Sequence, residues 1–398
     1  MKKLMLLGGT RYLLPVIEAA HKLGCYVITC DYLPDNFAHK YSDKYVNVSI
    51  IDKEAVLDVA KKLDIDGIMS FACDPGVVTA AYVADKLGLP SCGPYESVCI
   101  LQNKSRFRKF LSDNGFNVPV AKGYTSVDEA LNDIGLFHWP VIVKPTDSAG
   151  SKGVTRVDDP EKLRESIEYA LSFSHCDEFI IEDFIVTSKY TSGSDCFSTD
   201  GELSFVSFSS QRFDSGASNP YTPTAHSWPS NISDENQAEL VSELNRLLKL
   251  LNMTTSLYNV EAREGVDGKV YLMEVSPRAG GNRLSEVLRY ATGVDLIENA
   301  VKAALGEETN VIQKPYDGHW ALIVLHSDES GIFDSLTVSD FIKDKIVECS
   351  LWKEQGDKVN SFSAANESIG TLFVRFDTAD ELDTVMKNIK DHVKINLK

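Results

Sequence analysis

The residues with the clearest chemical potential lie in segment 258–283, which reads YNVEAREGVDGKVYLMEVSPRAGGNR. The segment reads as two strands joined at Asp267-Gly268, a pair typical of a two-residue β-hairpin loop. Counting outward from that loop places Glu261 directly opposite Glu274. Two carboxylates that face each other across a ladder repel each other. A hard divalent cation such as Mg²⁺, held by carboxylate oxygens, would relieve that repulsion.

Strand alternation gives this hairpin one apolar face and one polar face. We expect the following distribution: Val260, Ala262, Met273 and Val275 on the apolar face, and Asn259, Glu261, Arg263, Glu274 and Ser276 on the polar face. Pro277 should end the ladder because it has no N–H, and Arg278 should then project beside the acidic pair. A solvated hairpin with a chance acidic pair is the alternative interpretation.

Composition limits the classes of protein to which the chain can belong. With 398 residues, of which 43% are apolar, we expect an ordinary soluble globular protein with more than one domain. The net charge of −18 argues against a general nucleic-acid or anionic-membrane surface. No apolar run approaches transmembrane length. An anionic ligand would therefore need a local cluster of basic residues and metal.

The cysteines and the first residues indicate the compartment. The eight cysteines include no CxxC pair, as expected for reduced thiols in a cytoplasmic protein. The chain starts MKKLMLLGG, and its apolar run is too short for the central region of a signal peptide. We therefore predict a cytoplasmic protein.

The first part of the chain predicts an open α/β domain. Strands over 3–7 and 26–30 flank a helix over about 14–23, which is a βαβ start. The G-x-G-x-x-G fingerprint is absent, which argues against a dehydrogenase. Residues 96–114 then read as one helix that ends at Gly115. Its basic residues are individually best interpreted as a solvated face: Lys104, Arg106, Arg108 and Lys109.

A glycine-, serine- and lysine-containing loop follows the β-rich run at 139–144. Its sequence over 145–153 is PTDSAGSKG, which suits a mobile loop that wraps phosphates with backbone N–H groups. The spacing is not that of a P-loop, and a plain turn is the alternative interpretation. Lys144, at the end of the strand, could reach phosphate oxygens as a point charge.

The connection at 211–231 is rich in Ser, Gly, Asn, Pro and Thr and has little periodicity. A connection of that length is either functional or disordered. Arg212 and His226 within it could contact a substrate, although a lone histidine in a loop is more often a surface residue. The tail at about 310–398 predicts a small α+β domain that packs on the rest.

Four segments, taken in order, resemble the ATP-grasp superfamily, and the resemblance covers about residues 1–305. NKSRFRKFLSDNGFNVP resembles the helix whose lysine contacts nucleotide phosphate, and VIVKPTDSAGSKGV resembles the second-lysine strand with its phosphate loop. IIEDFI resembles the hinge strand beside adenine, and NVEAR with YLMEVSPRAGG resembles the metal-binding strands. Four such motifs in the same order are together specific.

The resemblance implies an ATP-grasp fold of α/β and α+β architecture. It implies an N-terminal open α/β domain over 1–95 and an ATP-grasp domain over 96–305, with a lid at about 120–185. A small C-terminal α+β domain would occupy 306–398. A homodimer is also implied.

The resemblance further implies the ligands of each site residue. ATP would be bound by Lys104, Lys144, Ser148, Ser151, Lys152, Gly153, Glu182, Asp183, Phe184 and Ile185. Mg²⁺ or Mn²⁺ would be held by Glu261, Glu274 and Ser276, and Arg278, with Arg263, would contact the carboxylate or acyl phosphate. Two positions depart from the family pattern: Ser276 replaces an asparagine, and Lys189-Tyr190 lies where a ribose-binding glutamate is usual.

Within the superfamily, the chain is similar to carbamoyl-phosphate-synthase-like, biotin-carboxylase-like and L-amino-acid-ligase-like members. The tail segment GDKVNSFSAANESIGTLFVRFDTADEL resembles the C-terminal domain of the last group. This implies a carboxylate–amine ligase that forms an acyl phosphate from ATP and a small acid and then an amide. The alternatives are a bicarbonate-activating enzyme and a non-catalytic nucleotide-binding regulatory protein.

Overall fold

The structure is a computed structural model that describes residues 1–148 and 150–398. The strands of the described residues form five sheets. In the described part of the chain, no helix has both the length and the apolar character needed to cross a membrane. Short 3₁₀ turns lie at Arg11–Leu13, Phe37–Lys40, Ile134–Leu136, Pro160–Lys162 and Ala365–Glu367.

The first sheet is parallel and confirms the open α/β arrangement. Its strands are β1 (Lys3–Leu7), β2 (Tyr26–Asp31), β3 (Lys44–Asn47) and β4 (Gly67–Ser70), in the order β3-β2-β1-β4. The crossover helices are α1 (Leu14–Lys22) and α2 (Lys53–Leu63), and α3 (Asp74–Leu87) follows β4. Residues 4–7 of β1 are fully buried, as a central parallel strand requires.

The single helix predicted over 96–114 is two helices, α4 (Tyr95–Gln102) and α5 (Lys104–Asp113). Asn103 lies between them in an extended conformation, with φ −106° and ψ 114°. Its side-chain oxygen accepts a hydrogen bond from the Arg106 N–H and caps α5. This break places Lys104 at the first position of a helix.

Residues 121–183 form a small sheet of their own. Its strands are β5 (Ala121–Tyr124), β6 (Val141–Pro145), β7 (Thr155–Val157) and β8 (Phe179–Asp183), in the order β5-β8-β6-β7. Helices α6 (Val127–Asn132) and α7 (Leu163–Leu171) accompany it. Glu182 on β8 pairs with Ile142 on β6. Because side chains alternate along a strand, Glu182 shares a face with Lys144.

The central sheet carries the acidic hairpin. Its strands are β9 (Ser192–Thr199), β10 (Glu202–Phe205), β13 (Ser256–Glu264) and β14 (Val270–Ser276), in the order β10-β9-β13-β14. Helix α8 (Asp234–Leu250) packs its leucines into the core beneath β13 and β14. Ser233 caps α8 through the Asn236 N–H.

The connection at 211–231 is not the irregular loop that its composition suggested. It contains β12 (Pro223–Trp228) and most of β11 (Ser210–Phe213), which join β15 (His319–Leu325), β17 (Ile346–Leu351) and β19 (Gly370–Phe376) in one sheet. The order is β11-β12-β15-β19-β17. His226, expected at the surface, is 3% exposed and lies 3.1 Å from Ser209 Oγ through Nδ1. The segment buries polar side chains, so it lacks the apolar alternation of a strand.

The remaining elements complete the C-terminal part of the chain. Strands β16 (Gly331–Val338), β18 (Lys358–Val359) and β20 (Val393–Leu397) form a sheet in the order β18-β16-β20. The remaining helices are α9 (Leu284–Thr292), α10 (Leu296–Ala304), α11 (Asp340–Lys343), α12 (Ala379–Lys387) and α13 (Ile389–His392).

Two packing features cross the predicted domain boundaries. Leu288 on α9 and Leu296 on α10 share a core with Leu4 and Val27 of the first sheet. Strands β11 and β12, from the predicted ATP-grasp domain, pair with β15 from the predicted C-terminal domain. The boundaries after residues 95 and 305 stay a prediction.

Candidate active site

The acidic pair is where the sequence predicted it, although the hairpin is built differently. Glu261 pairs with Glu274 across the ladder of β13 and β14, which confirms their opposition. The loop closes between Gly265 N–H and the Lys269 carbonyl, 2.9 Å apart, so it has three residues rather than two. A register shift beside Glu261 leaves Met273 as an extra residue on β14. The extra loop residue and the extra residue of the bulge offset each other in the register, so Glu261 still pairs with Glu274.

The bulge corrects one expected side-chain position. Leu272, rather than Met273, joins Val260, Ala262 and Val275 in the core under the hairpin. Leu272 takes this place because the register shift moves its pairing to Ala262. The polar face is unchanged where the acidic pair lies.

The raised pKa of Glu261 reflects its burial and its like-charged neighbour. Burial, and then the nearby Glu274 carboxylate, raise the pKa of Glu261. Arg278 Nη2 lies 4.0 Å from Glu274 Oε1, and no salt bridge reaches Glu261 within residues 1–148 and 150–398. Two facing carboxylates, of which Glu261 has no salt bridge in the described residues, are a donor set that fits a hard divalent ion. The residues present therefore fit the implied Mg²⁺.

Lys104 joins helix α5 to the predicted phosphate loop. Its Nζ donates a hydrogen bond of 2.7 Å to the Ser148 carbonyl. The Ser148 hydroxyl donates to the Phe173 carbonyl at 2.5 Å. Further along the loop, Ser151 Oγ donates to the Tyr221 carbonyl at 2.9 Å. These contacts tie the loop to α5 on one side and to the segment before β12 on the other.

The other two predicted residues of this loop differ from each other in exposure. Lys152 is exposed, whereas Gly153 is buried with φ 70°. A Cβ at Gly153 would lie 3.1 Å from both Phe173 and Pro145, so only glycine fits without a shift. Contact of either residue with phosphate stays a prediction.

Arg108, Glu182 and Lys144 form a buried ion triad beside the loop. From the sequence, Arg108 was interpreted as solvated and Glu182 as a contact of adenine. Arg108 is 3% exposed rather than solvated, and its Nε donates to Glu182 Oε2 at 3.0 Å. Lys144 Nζ donates to the other oxygen, Oε1. Arg108 Nη1 also donates to the Met273 carbonyl at 2.8 Å. Lys104 and Arg108 are four residues apart, so helical spacing could have placed both on one face.

The triad shifts the pKa values of both titrating partners. Burial alone would raise the pKa of Glu182, but Arg108 and Lys144 lower it to about 2. Burial lowers the pKa of Lys144 to about 8, although Glu182 acts in the opposite direction. Glu182 is therefore ionised, and Lys144 loses its proton at a lower pH than an exposed lysine.

The hinge residues have structural partners of their own. Both oxygens of Glu182 accept hydrogen bonds within the triad, and its contact with adenine stays a prediction. The Asp183 carboxylate accepts from the His138 backbone N–H at 2.9 Å, and the Phe184 N–H donates to the Pro140 carbonyl at 3.0 Å. A contact of Asp183, Phe184 or Ile185 with nucleotide stays a prediction.

Arg278 is held by a residue that the sequence did not single out. Its Nε and Nη2 donate to the two oxygens of Asp74, at 2.8 and 2.6 Å. Asp74 is the first residue of α3, in the N-terminal sheet region. Burial would raise the pKa of Asp74, but the Arg278 guanidinium lowers it. This bidentate pair fixes Arg278 at the end of β14.

The same contacts involve Ser276. Its hydroxyl donates to Asp74 Oδ1 at 2.9 Å and accepts from Gln102 Nε2 at 2.8 Å. The proton and one lone pair of the hydroxyl are therefore used. Ser276 orients Asp74, and its role as a metal ligand stays a prediction.

Asp195 on β9 is a second acid that sequence reasoning missed. It is fully buried and accepts from the Gly280 N–H at 2.7 Å and from the Ser285 hydroxyl at 2.5 Å. Asn259 Nδ2 lies 3.3 Å from it. Burial raises the pKa of Asp195 despite these donors. Asp195 therefore anchors the glycine turn that follows Arg278.

Arg263 and the Lys189 region complete the site. Arg263 is half-buried, and burial lowers its pKa while Glu182 and Glu261 oppose that shift. Lys189 Nζ lies 3.7 Å from Glu264 Oε1, which also accepts from the Ser188 hydroxyl at 2.9 Å. A carboxylate is therefore present near the position where the sequence lacked one.

The geometry and the comparisons agree on one class of protein. Residues 137–286 match the family model described as ATP-grasp domain. The chain is similar over its full length to the L-amino acid ligase from Bacillus licheniformis, with TM-score 0.81, 20% identity and 99% of that chain covered. It also matches the biotin carboxylase domain of Hydrogenobacter thermophilus 2-oxoglutarate carboxylase, which was solved with MgADP, at TM-score 0.74 and 16% identity, over 100% of this chain and 91% of that one.

Two curated relatives match part of the chain. An uncharacterized protein, y4rH of Sinorhizobium fredii, is 27% identical over 266 residues, which are 64% of this chain and 52% of that one. The formate-dependent phosphoribosylglycinamide formyltransferase of a Synechococcus strain is 28% identical over 186 residues, or 46% and 48% of the two chains. The match thus spans about half the length of these relatives. This chain has the ATP-grasp fold, and its residues 137–286 match the ATP-grasp domain model, as its motifs predicted.

Proposed function

We propose that this protein is an ATP-dependent ligase that activates a small carboxylate as an acyl phosphate and joins it to an amine. ADP and phosphate would be released. The observation that carries the proposal is the Glu261–Glu274 pair, which lies close to the charges of Lys104, Lys144 and Arg278. A metal-binding carboxylate pair beside several cations is what transfer of a phosphoryl group between anions requires.

Lys104 and Lys144 are proposed to hold the phosphates of ATP. Both lysines act on the electrostatics of Glu261, so their charges lie close to the acidic pair. The loop that Lys104 contacts through Ser148 would cover the nucleotide and exclude water. Adenine would pack against the hinge near Phe184 and Ile185.

Glu261 and Glu274 are proposed to hold Mg²⁺ or Mn²⁺. A metal held by these two carboxylates would supply positive charge to offset that of the ATP phosphates. Glu261 is half-buried, and 30% of the Glu274 side chain is exposed, so the pair is open to solvent. This exposure suits a metal that keeps substrate phosphates as ligands.

Arg278 and Arg263 are proposed to contact the reacting acid. Arg278 is oriented by Asp74, with two hydrogen bonds in a fixed fork. Arg263 has no salt bridge in the described part of the chain and lies near Glu261. Two guanidinium groups beside the metal pair would stabilise the charge of a carboxylate and then of its acyl phosphate. The amine would then attack the activated carbonyl carbon and release phosphate.

Activation of bicarbonate is the second candidate. It is favoured by the match to a biotin carboxylase domain, whose title names bicarbonate and MgADP. In that case carboxyphosphate would form in place of an organic acyl phosphate. The site residues would keep the roles given above.

The test is release of ADP by purified protein with ATP and Mg²⁺ across a grid of amino-acid pairs, with and without bicarbonate. A signal that needs two organic partners would support the ligase, and a signal with bicarbonate alone would support the second candidate. Glu274→Gln should abolish either signal, whereas Glu235→Gln, an exposed acid on α8, should not change it. ATP binding without turnover in every mixture would overturn both proposals in favour of a regulatory role.

A further inference from the structure

Arg108 has a donor that the folded protein leaves unused. The residue is 3% exposed, and its Nη2 finds no hydrogen-bond partner within residues 1–148 and 150–398. Leaving a buried charged donor without a partner is costly. Such a group in a folded protein calls for a second state in which the donor is satisfied.

The unused donor lies on the edge of the guanidinium that faces Glu182. Nε and Nη2 project from the same edge and together form the fork that binds both oxygens of a carboxylate. Nε already donates to Glu182 Oε2 at 3.0 Å. The second oxygen, Oε1, is taken by Lys144 instead. Arg108 therefore uses one of its two fork donors, while Lys144 donates to the oxygen that the second donor would reach.

The two cations differ in freedom of movement. Arg108 is anchored on its other edge, where Nη1 donates to the Met273 carbonyl at 2.8 Å. Lys144 has no such second anchor in the described chain, and 12% of its side chain is exposed, against 3% for Arg108. Lysine also carries its charge on a flexible four-carbon stem. Lys144 is therefore the partner that can leave Glu182.

We propose that Arg108 takes over Glu182 when Lys144 turns to a nucleotide phosphate. This inference rests on the proposed binding of ATP at this site. Lys144 Nζ would release Oε1, and Arg108 Nη2 would donate to that oxygen, which completes the fork. No covalent bond changes. Arg108 is thus a positioning residue that acts through Glu182 and Lys144.

The exchange removes a barrier that Lys144 would otherwise meet. Glu182 is 2% exposed, and a buried carboxylate that loses its cation is strongly destabilised. With Arg108 in place, Glu182 exchanges one hydrogen bond for another and stays paired. Lys144 can then bind phosphate without leaving an isolated charge behind. Arg108 can keep Glu182 paired in this way because its guanidinium has two parallel donors, and a positive charge alone would not be sufficient.

The test is a double-mutant cycle on nucleotide affinity, measured by calorimetry with Mg²⁺ and a non-hydrolysable ATP analogue. Arg108→Lys keeps the charge but loses the fork, and we expect it to weaken binding of the analogue about tenfold. Adenosine, which has no phosphate, should bind the variant as it binds wild type. In a Lys144→Met background the same change should alter affinity by less than about twofold, because no lysine has to be released.

Three controls make the result decisive. Arg106→Lys changes an exposed arginine on the same helix and should leave affinity unchanged. Thermal unfolding of each variant reports on folding, and Arg108→Gln provides a second substitution should Arg108→Lys unfold. Equal losses for analogue and adenosine, or equal losses with and without Lys144, would overturn the exchange while leaving ATP binding intact. A wild-type protein that binds no nucleotide would instead overturn the proposed function, and the exchange with it.

Discussion

Two glutamates of the candidate site differ in their electrostatic surroundings. The Glu182 carboxylate lies between Arg108 and Lys144, which lower its pKa to about 2 although burial opposes them. The Glu261 carboxylate lies opposite Glu274, and burial with that like charge raises its pKa. Two cations pair directly with Glu182, whereas no salt bridge reaches Glu261 within residues 1–148 and 150–398. The comparison indicates that Glu182 is paired within the folded chain, whereas Glu261 is suited to receive a cation from solution.

The largest expected effect comes from Glu274, the carboxylate that faces Glu261. Glu274→Gln should lower ADP release by roughly 10³-fold, because half of the proposed metal site is lost. The same substitution should leave the free energy of unfolding without metal unchanged or slightly higher, because it removes a like-charge contact. Steady-state kinetics and urea unfolding check the two effects. A loss of activity that merely follows a loss of stability would contradict the proposed metal role.

Substitution of Glu182 should instead lower the stability of the fold. Glu182→Leu leaves Arg108 and Lys144 buried without a counter-charge, and we expect a loss of about 3–5 kcal/mol in the free energy of unfolding. Urea unfolding measures this loss. Glu261→Gln is the matched control, since it neutralises a half-buried glutamate that has no salt bridge in the described residues, and it should not destabilise the protein. Equal destabilisation by both variants would remove the contrast between the two acids.

The pKa of Lys144 gives a prediction in pH. Because this pKa is lowered to about 8, Lys144 is charged below pH 8 and neutral above it. Affinity for the ATP analogue should therefore fall as pH rises through about 8, by about tenfold between pH 7 and pH 9.5. Calorimetry over this range measures the fall. Lys144→Arg should bind without that decline because arginine stays charged. A flat profile for wild type would contradict the assignment of Lys144 to phosphate.

The smallest expected effect comes from Asp195, which belongs neither to the Glu182 triad nor to the Glu261–Glu274 pair. Asp195→Asn weakens the hydrogen bonds that hold the turn at Gly280. We expect a loss of about 1–2 kcal/mol in stability and a modest fall in kcat, because Arg278 is less well positioned. Glu274→Gln and Asp195→Asn, compared in one assay, should differ by about a hundredfold in kcat. A similar loss for both would mean that the turn matters as much as the acidic pair.

The acidic pair was predictable because strand pairing is local. Glu261 and Glu274 belong to one hairpin, and their opposition followed from counting, even though a longer loop and a bulge replaced the simple turn. The motif order gave the fold for the same reason, since each motif is a short segment. Sites that are built within one supersecondary unit can therefore be predicted from the sequence.

The partners of these residues were not predictable from the sequence. Asp74 meets Arg278 across 204 positions of sequence, and Asp195 meets Gly280 across 85. No periodicity marks such pairs. Arg108 was misinterpreted because a basic helix position is usually solvated, and strand β12 was missed because its buried threonine, histidine and serine break the apolar alternation.

The central claim is that Glu261 and Glu274 complete a divalent-cation site. Its most direct test is binding of Mn²⁺ to the protein saturated with a non-hydrolysable ATP analogue, followed by electron paramagnetic resonance in wild type and in the Glu261→Gln/Glu274→Gln double variant. We predict a protein-bound Mn²⁺ signal in wild type that is lost in the double variant, while adenosine binding persists. The same Mn²⁺ affinity in both proteins would contradict the claim.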